Sequence, residues 1–182
     1  LNFWFGNTTK PEYLSSLWWF GVHPLITNLR SQQSVDQYIK DTWEYILSKY
    51  NPSDHIDLFT ENHYLKSWTD SKEGLLALIV LFDQFPRHVF RGSKESFSYD
   101  NYACSLAKYI LSQNFAGTEI DIALKYFASV ALVHSEDISD VINGNLEMNK
   151  LLSTTTTADS IEYNEKWGLG IKKTLKIFKD HL

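Results

Sequence analysis

Apolar residues recur along much of this chain at steps of three and four positions, which is the spacing of one face of an α-helix. The clearest stripe consists of Val35, Tyr38, Ile39, Thr42, Trp43, Ile46 and Leu47. Ser34 just before it is a suitable helix N-cap. Asn51 and Pro52 end the pattern, because proline restricts the residue that precedes it. A helix is therefore predicted over residues 35–50.

The same periodicity predicts several further helices. They span about residues 70–85, 100–112, 119–133, 138–152 and 160–182. Pro86 should stop or kink the first of these, since proline lacks the N–H that a helix interior needs. Thr118 and Asp121 form a capping-box pattern before the third. Gly168 and Gly170 weaken the last one.

Evidence for β-strands is thin. Residues 1–5 alternate only loosely between apolar and polar positions and fit an extended lead-in equally well. We therefore predict an all-α fold, with residues 1–182 forming a single domain of about seven or eight helices packed as antiparallel pairs.

Composition narrows the classes of partner. The chain has 17 Lys and Arg against 22 Asp and Glu, a net charge of -5, and no long basic run. Nucleic acid is therefore excluded as an expected partner. The five lysines within residues 166–179 fit the solvated face of an amphipathic helix. Because the aromatic content is 15%, rings must fill the core or line a groove for a partner.

Cysteine use and hydropathy bear on location. Cys104 is the single cysteine, so an intramolecular disulfide is excluded and a reduced intracellular compartment is expected, first of all the cytoplasm. An organelle stays open, because the chain begins at Leu1 without a methionine. The apolar run 75–82 is too short to span a membrane.

A polar group follows that apolar run directly. Asp83, Gln84, Arg87 and Arg91 come at the end of a segment that should be buried, where charges need partners. One interpretation is structural: Asp83 pairs with Arg87 or Arg91 and fixes the exit of the chain. The other is functional: the two guanidiniums hold a carboxylate or phosphate.

A second polar group, His134-Ser135-Glu136-Asp137, ends the helix predicted over 119–133. The imidazole and carboxylates can serve as an acid–base pair or as metal ligands. Because adjacent residues on a helix point in different directions, all four cannot converge on one ion. Alternatively, Ser135 caps the next helix, the two acids lie at its positive end, and His134 is a satisfied core residue. The sequence has no phosphate-binding glycine loop, Gly-x-Ser-x-Gly or His-Glu-x-x-His motif, so no cofactor and no metal are expected.

The segments LNFWFG, LLALIVLFDQFPRHVFRGSKESFSYD and VHSEDISD, in this order, closely resemble the domain-of-unknown-function family numbered 924. The resemblance covers almost the whole chain and implies an all-helical, tetratricopeptide-like fold without an established reaction or ligand. The family's characteristic residues fall on Trp4, Phe5, Gly6, Asp83, Gln84, Phe85, Pro86, Arg87, Phe90, Arg91, Gly92, His134, Ser135, Glu136 and Asp137.

This chain departs from the family pattern in two places. Val141 stands where relatives commonly have glutamine, and the chain ends at Leu182 before the family's usual Phe-Gly-Arg-Phe-Pro-His-Arg-Asn segment. By this resemblance the domain is expected to be incomplete at its C-terminal end. If that segment lines the same polar centre, this chain lacks part of the site.

Two classes of function follow. The first is a helical interaction module that binds a protein or peptide in an aromatic groove, or a structural subunit whose polar motifs only lock the helices together. The second is a small-molecule or enzymatic site, in which Arg87 and Arg91 hold an anionic ligand while His134 or Glu136 moves a proton. The second requires the two polar groups to meet beside a cavity. Whether the protein is an enzyme, and its oligomeric state, stay open.

Overall fold

A computed structural model describes residues 31–50, 58–59, 65–115, 118–155 and 176. The α-helices are α1 (Gln32–Leu47), α2 (Lys66–Thr69), α3 (Lys72–Ile79), α4 (Phe85–Val89), α5 (Asp100–Ser112), α6 (Glu119–Val133) and α7 (Ile138–Thr155). A π-helical segment (Val80–Gln84) joins α3 to α4, and a 3₁₀ turn (Lys94–Phe97) precedes α5. No strand occurs among the described residues, so the all-α prediction is confirmed. A tetratricopeptide-like order of the helices stays a prediction.

Two helix starts carry capping boxes. Thr118 and Asp121 bond each other's backbone before α6, as their spacing predicts. The N-cap of α1 is Ser31, and Ser34 is its partner three residues into the helix. The prediction of Ser34 as the N-cap was therefore wrong by three residues, because the helix begins one turn earlier and Ser34 serves as the reciprocal member of the capping box.

Of the two predicted outcomes at Pro86, a stop or a kink, the stop does not occur, because the helix that begins at Lys72 continues to Val89. Its hydrogen bonding changes instead: the N–H of Phe85 bonds the carbonyl of Val80, five residues back. Proline lacks an N–H and its ring crowds the preceding turn, and a wider π turn just before it accommodates both. Gly92, with a φ of +84°, then turns the chain away in a left-handed conformation that suits glycine.

The core is built around α6, which packs against α7, α5 and α3, while α1 packs against α4. Gly144 lets α7 approach α6 closely, because a Cβ there would lie 2.7 Å from the Ser129 carbonyl oxygen. Phe82 of the π segment is fully buried. Its ring contacts Tyr50, Tyr99 and Tyr102 at centroid distances of 5.4, 6.2 and 5.2 Å.

The predicted inward faces of α5 and α6 are largely buried. The fully or nearly fully covered residues are Tyr102, Ala103, Leu106, Ala107, Ile110, Ala123, Tyr126, Phe127, Val130 and Ala131. None of the described helices is both long enough and apolar enough to cross a membrane. The predictions for residues 1–5 and for a helix over 160–182 lie outside the described residues, apart from Lys176.

Candidate functional site

The two polar groups of the sequence meet in space at Asp83. Its carboxylate is fully buried at the π segment, and Oδ1 lies 2.7 Å from Nδ1 of His134. The same oxygen lies 3.2 Å from Nη1 of Arg87, while Gln84 donates to Oδ2. We call these four residues the Asp83 cluster. It joins the long helix formed by α3, the π segment and α4 (residues 72–89) to the loop between α6 and α7.

The charge on Asp83 is stabilised by this cluster. Burial raises its pKa, but the charges and hydrogen bonds of His134 and Arg87, with the bond from Gln84, outweigh burial and hold the pKa below its usual range. An ionised carboxylate can only accept hydrogen bonds, so Nδ1 of His134 carries the proton in this contact. In a neutral ring the basic nitrogen is then Nε2. The His134 side chain is 24% exposed.

Arg87 is held by two aspartates. Its Nη1 and Nη2 donate to the two oxygens of Asp100 at 2.9 and 3.1 Å, and Nη1 also donates to the Asp83 carbonyl at 2.7 Å. The guanidinium lies 5.8 Å from the ring centroid of Phe97. Burial raises the pKa of Asp100 above its usual range, although Arg87 opposes this rise. A ligand anion would have to displace Asp100 from this arginine.

Arg91 lies in a different cluster. It donates from Nε and Nη2 to Asp36 of α1, and His88 Nδ1 lies 2.7 Å from Asp36 Oδ1. Gln32 adds a bond of 2.9 Å to the same oxygen. Burial raises the pKa of Asp36, but the hydrogen bonds from His88, Arg91 and Gln32 outweigh burial and lower it to about 2. We call these residues the Asp36 cluster.

The loop before α7 differs in detail from its predicted role. Asp137 caps α7, since its Oδ1 accepts from the N–H of Ser139 at 2.8 Å. Ser135, the predicted cap, accepts instead from the N–H of Asp137 at 3.1 Å and lies 3.3 Å from Asp140 Oδ2. Asp137 prevails because it directly precedes Ile138, the first residue of the helix. Glu136 and Asp137 are exposed.

A cleft of about 710 Å³ lies between α5 and the start of α7. We call it the acidic cleft. Its lining includes four carboxylates, a lysine and an aromatic ring, namely Asp100, Glu136, Asp137, Asp140, Lys108 and Phe97. Lys108 is paired with Asp140 at 2.9 Å. The lining is therefore predominantly negative.

Cys104 also lines this cleft but is a poor nucleophile. Burial raises the pKa of its thiol to about 11, so the reactive thiolate is scarce at neutral pH. Within the part of the chain that the structure describes, no group of three or more His, Cys, Asp or Glu side chains is arranged to hold a metal ion.

The predicted polar centre is thus divided among three places. Asp83, Gln84, Arg87 and His134 converge in one cluster. Arg91 joins Asp36 instead, and Glu136 and Asp137 line the acidic cleft. Of the two structural interpretations, the pairing of Asp83 with Arg87 is the one observed.

Sequence reasoning missed Asp36, Asp100 and Asp140, the acidic partners of these side chains. The spacing of His88 and Arg91 is a local signal of a shared acidic partner, because side chains three residues apart can reach the same group. The partner itself comes from a helix more than fifty positions away, which no local pattern identifies.

Comparisons with known proteins agree with the resemblance inferred from the motifs. The family described as "Bacterial protein of unknown function (DUF924)" matches residues 1–182. No curated protein and no solved structure matches the chain significantly.

Proposed function

We propose that this chain, which belongs to the DUF924 family, is a helical interaction module that binds a basic segment of a partner protein. The observation that carries the proposal is the acidic cleft, whose wall holds four carboxylates and one lysine. Asp100 and Asp140 are already paired with Arg87 and Lys108, while Glu136 and Asp137 are exposed. Such a wall attracts cations and repels anions, and it speeds the encounter with a basic partner.

The occupied arginines argue for a cationic partner over an anionic one. Arg87 is held by both oxygens of Asp100, and Arg91 is held by Asp36. A carboxylate or phosphate ligand would therefore have to compete with Asp100 at Arg87 and with Asp36 at Arg91. A small anion that approaches Asp100 and Arg87 through the acidic cleft would also pass Glu136 and Asp137, which carry charge of the same sign.

Phe97 adds a contact suited to arginine or to an apolar side chain. Its side chain is 58% exposed at the edge of the acidic cleft. Arginine stacks on aromatic faces and also bonds carboxylates with two parallel hydrogen bonds. We therefore expect arginine to bind better than lysine at this edge.

Binding is tested with fluorescein-labelled oligo-arginine and oligo-glutamate peptides and the full chain, by fluorescence anisotropy. Oligo-arginine should bind and oligo-glutamate should not, and added salt should weaken the binding. Glu136→Lys should reduce the affinity about tenfold, because it places a like charge in the cleft. Glu44→Lys is the matched control, since it makes the same charge change on α1, away from the cleft lining.

Equal losses for Glu136→Lys and Glu44→Lys would show that only the net charge matters, and the proposal would fail. No binding of oligo-arginine by the unmodified chain would also refute it.

An acid–base site is the second candidate, and the contact between Asp83 and His134 favours it. A buried carboxylate bonded to Nδ1 orients a histidine and leaves Nε2 as the base, the arrangement that general-base histidines use. This candidate requires an anionic ligand to displace Asp100 from Arg87, and it predicts that a small dicarboxylate such as succinate raises the Tm of the protein. The rise should vanish in Arg87→Lys, which keeps the charge but loses the planar fork.

A further inference from the structure

The outer face of α7 carries a row of exposed apolar side chains. Ile138, Ile142 and Leu146 are spaced four residues apart and are 62%, 52% and 53% exposed. The opposite face of α7 packs on α6 at Gly144, and Met148 on the same face is fully buried. Single exposed apolar residues need no explanation, but three on successive turns of one helix face form a contact surface. We call these three residues the outer row.

We propose that the outer row is the docking surface for residues 160–182 of the same chain. In that segment Trp167, Ile171, Leu175, Phe178 and Leu182 follow one another at steps of four, four, three and four. This is the spacing of one apolar helix face, and two such faces bury each other when the helices pack. Lys176 falls off that face and is exposed.

The connection favours packing within one chain. α7 ends at Thr155, so only residues 156–159 separate it from the segment. Connections of two to eight residues join antiparallel neighbouring helices. An antiparallel return places Ile171 beside Leu146 and brings the later lysines toward the start of α7.

Charge complements this arrangement. Residues 166–182 contain five lysines, at 166, 172, 173, 176 and 179, and one acidic residue, Asp180. The start of α7 presents Glu136 and Asp137, both exposed. Opposite charges at the rim of an apolar contact fix its register more than its strength. The inference stands on the outer row and the segment, and it does not rest on the proposed binding of a basic partner.

Cysteine cross-linking of the full chain tests the packing. In a Cys104→Ser background, Leu146→Cys is combined with Ile171→Cys, which lies on the apolar face of the segment. The matched control combines Leu146→Cys with Lys173→Cys, on the opposite face. Under mild oxidation we expect the first pair to form an intramolecular disulfide at least about tenfold faster than the second, because the rate follows the local thiol concentration. Peptide mass spectrometry identifies the linked pair.

Equal rates for the two pairs would overturn the inference. Links that form only between chains, and faster at higher protein concentration, would also overturn it and assign the row to a second copy.

A second measurement does not depend on the cysteines. Ile142→Asp places a charge in the outer row, at a half-exposed position away from the α6 contact. We expect faster amide hydrogen exchange in residues 160–182, by about tenfold or more, with α6 unchanged. Unchanged exchange in residues 160–182 would contradict the proposed contact.

Discussion

The Asp83 and Asp36 clusters use the same chemistry in different surroundings. In each, an aspartate lies 2.7 Å from Nδ1 of a histidine and also bonds an arginine and a glutamine. The partners are His134, Arg87 and Gln84 for Asp83, and His88, Arg91 and Gln32 for Asp36. The first cluster joins the long helix to the loop before α7, and the second joins α1 to α4.

Burial separates the two clusters. The Asp83 side chain is fully buried and that of Arg87 is 17% exposed, whereas Asp36 is 16% and Arg91 is 48% exposed. Where water is excluded, removing one partner leaves a charge that nothing else solvates. Where water has access, it replaces the lost partner. Similar hydrogen bonds therefore carry unequal weight in stability, and a bond list alone does not rank them.

The largest expected difference lies between the two aspartates. Asp83→Asn leaves Arg87 and His134 facing a neutral group inside the protein, and we expect a loss of about 3 to 5 kcal/mol in the free energy of unfolding. Asp36→Asn should cost about 1 to 2 kcal/mol, because Arg91, its charged partner, reaches water. Urea denaturation of both variants at neutral pH measures the difference. Equal losses would break the distinction between the clusters.

The arginines should differ in the same direction. Arg87→Gln removes a charge that serves both Asp83 and Asp100, and we expect a loss of about 2 to 3 kcal/mol. Arg91→Gln should lower the free energy of unfolding by at most about 1 kcal/mol, since half of this side chain is solvated. Added salt should reduce the effect of Arg91→Gln more than that of Arg87→Gln. The reverse order of losses would show that exposure does not control these pairs.

Acid should weaken both clusters. The folded pKa of Asp36 is about 2, below its ordinary value of 3.8, and that of Asp83 is also lowered. A lowered pKa gives stability that is present above the unfolded value and lost as the pH falls through the folded one. Between pH 4 and 2, Asp36 should thus contribute a loss of at most about 2 kcal/mol.

Denaturation of the wild type and Asp36→Asn across this pH window measures that loss, which should be smaller in the variant. Asp41→Asn, at an exposed position of the same helix, is the control and should follow the wild type. A variant curve as steep as that of the wild type would contradict the assignment to Asp36.

The smallest effect is expected at Asp100. Its pKa is raised, so its folded form favours the proton, and the stability that this group contributes is present below the unfolded pKa and lost as the pH rises through the folded one. The ionised group therefore adds little at neutral pH, and Asp100→Asn should cost at most about 1 kcal/mol by urea denaturation. A loss as large as that of Asp83→Asn would place Asp100 in the same class as the buried aspartate.

The fold was largely predictable because it depends on local patterns. The inward faces of α5 and α6 follow from apolar spacing, and the cap of α6 follows from Thr118 and Asp121. The continuation through Pro86 was not predictable, because a π turn depends on how the buried segment packs around Phe82 and not on proline alone.

The candidate site was only partly predictable. The sequence indicates that Asp83, Arg87, Arg91 and His134 need partners, since charged groups beside an apolar run are costly to bury alone. Which acid each cation meets depends on contacts between helices far apart in sequence. Arg87 and Arg91 lie four residues apart but bind Asp100 and Asp36 respectively.

The sequence by itself determined the helical class, the inward faces and the residues that need a charged partner, because these follow from periodicity and from the cost of burying polar groups. Only the tertiary structure decided the pairing of those residues and the position of the acidic cleft. It also decided which aspartate is removed from water. Helix packing fixes these properties, since it brings distant side chains together and sets the solvent access on which the strength of a charge pair depends.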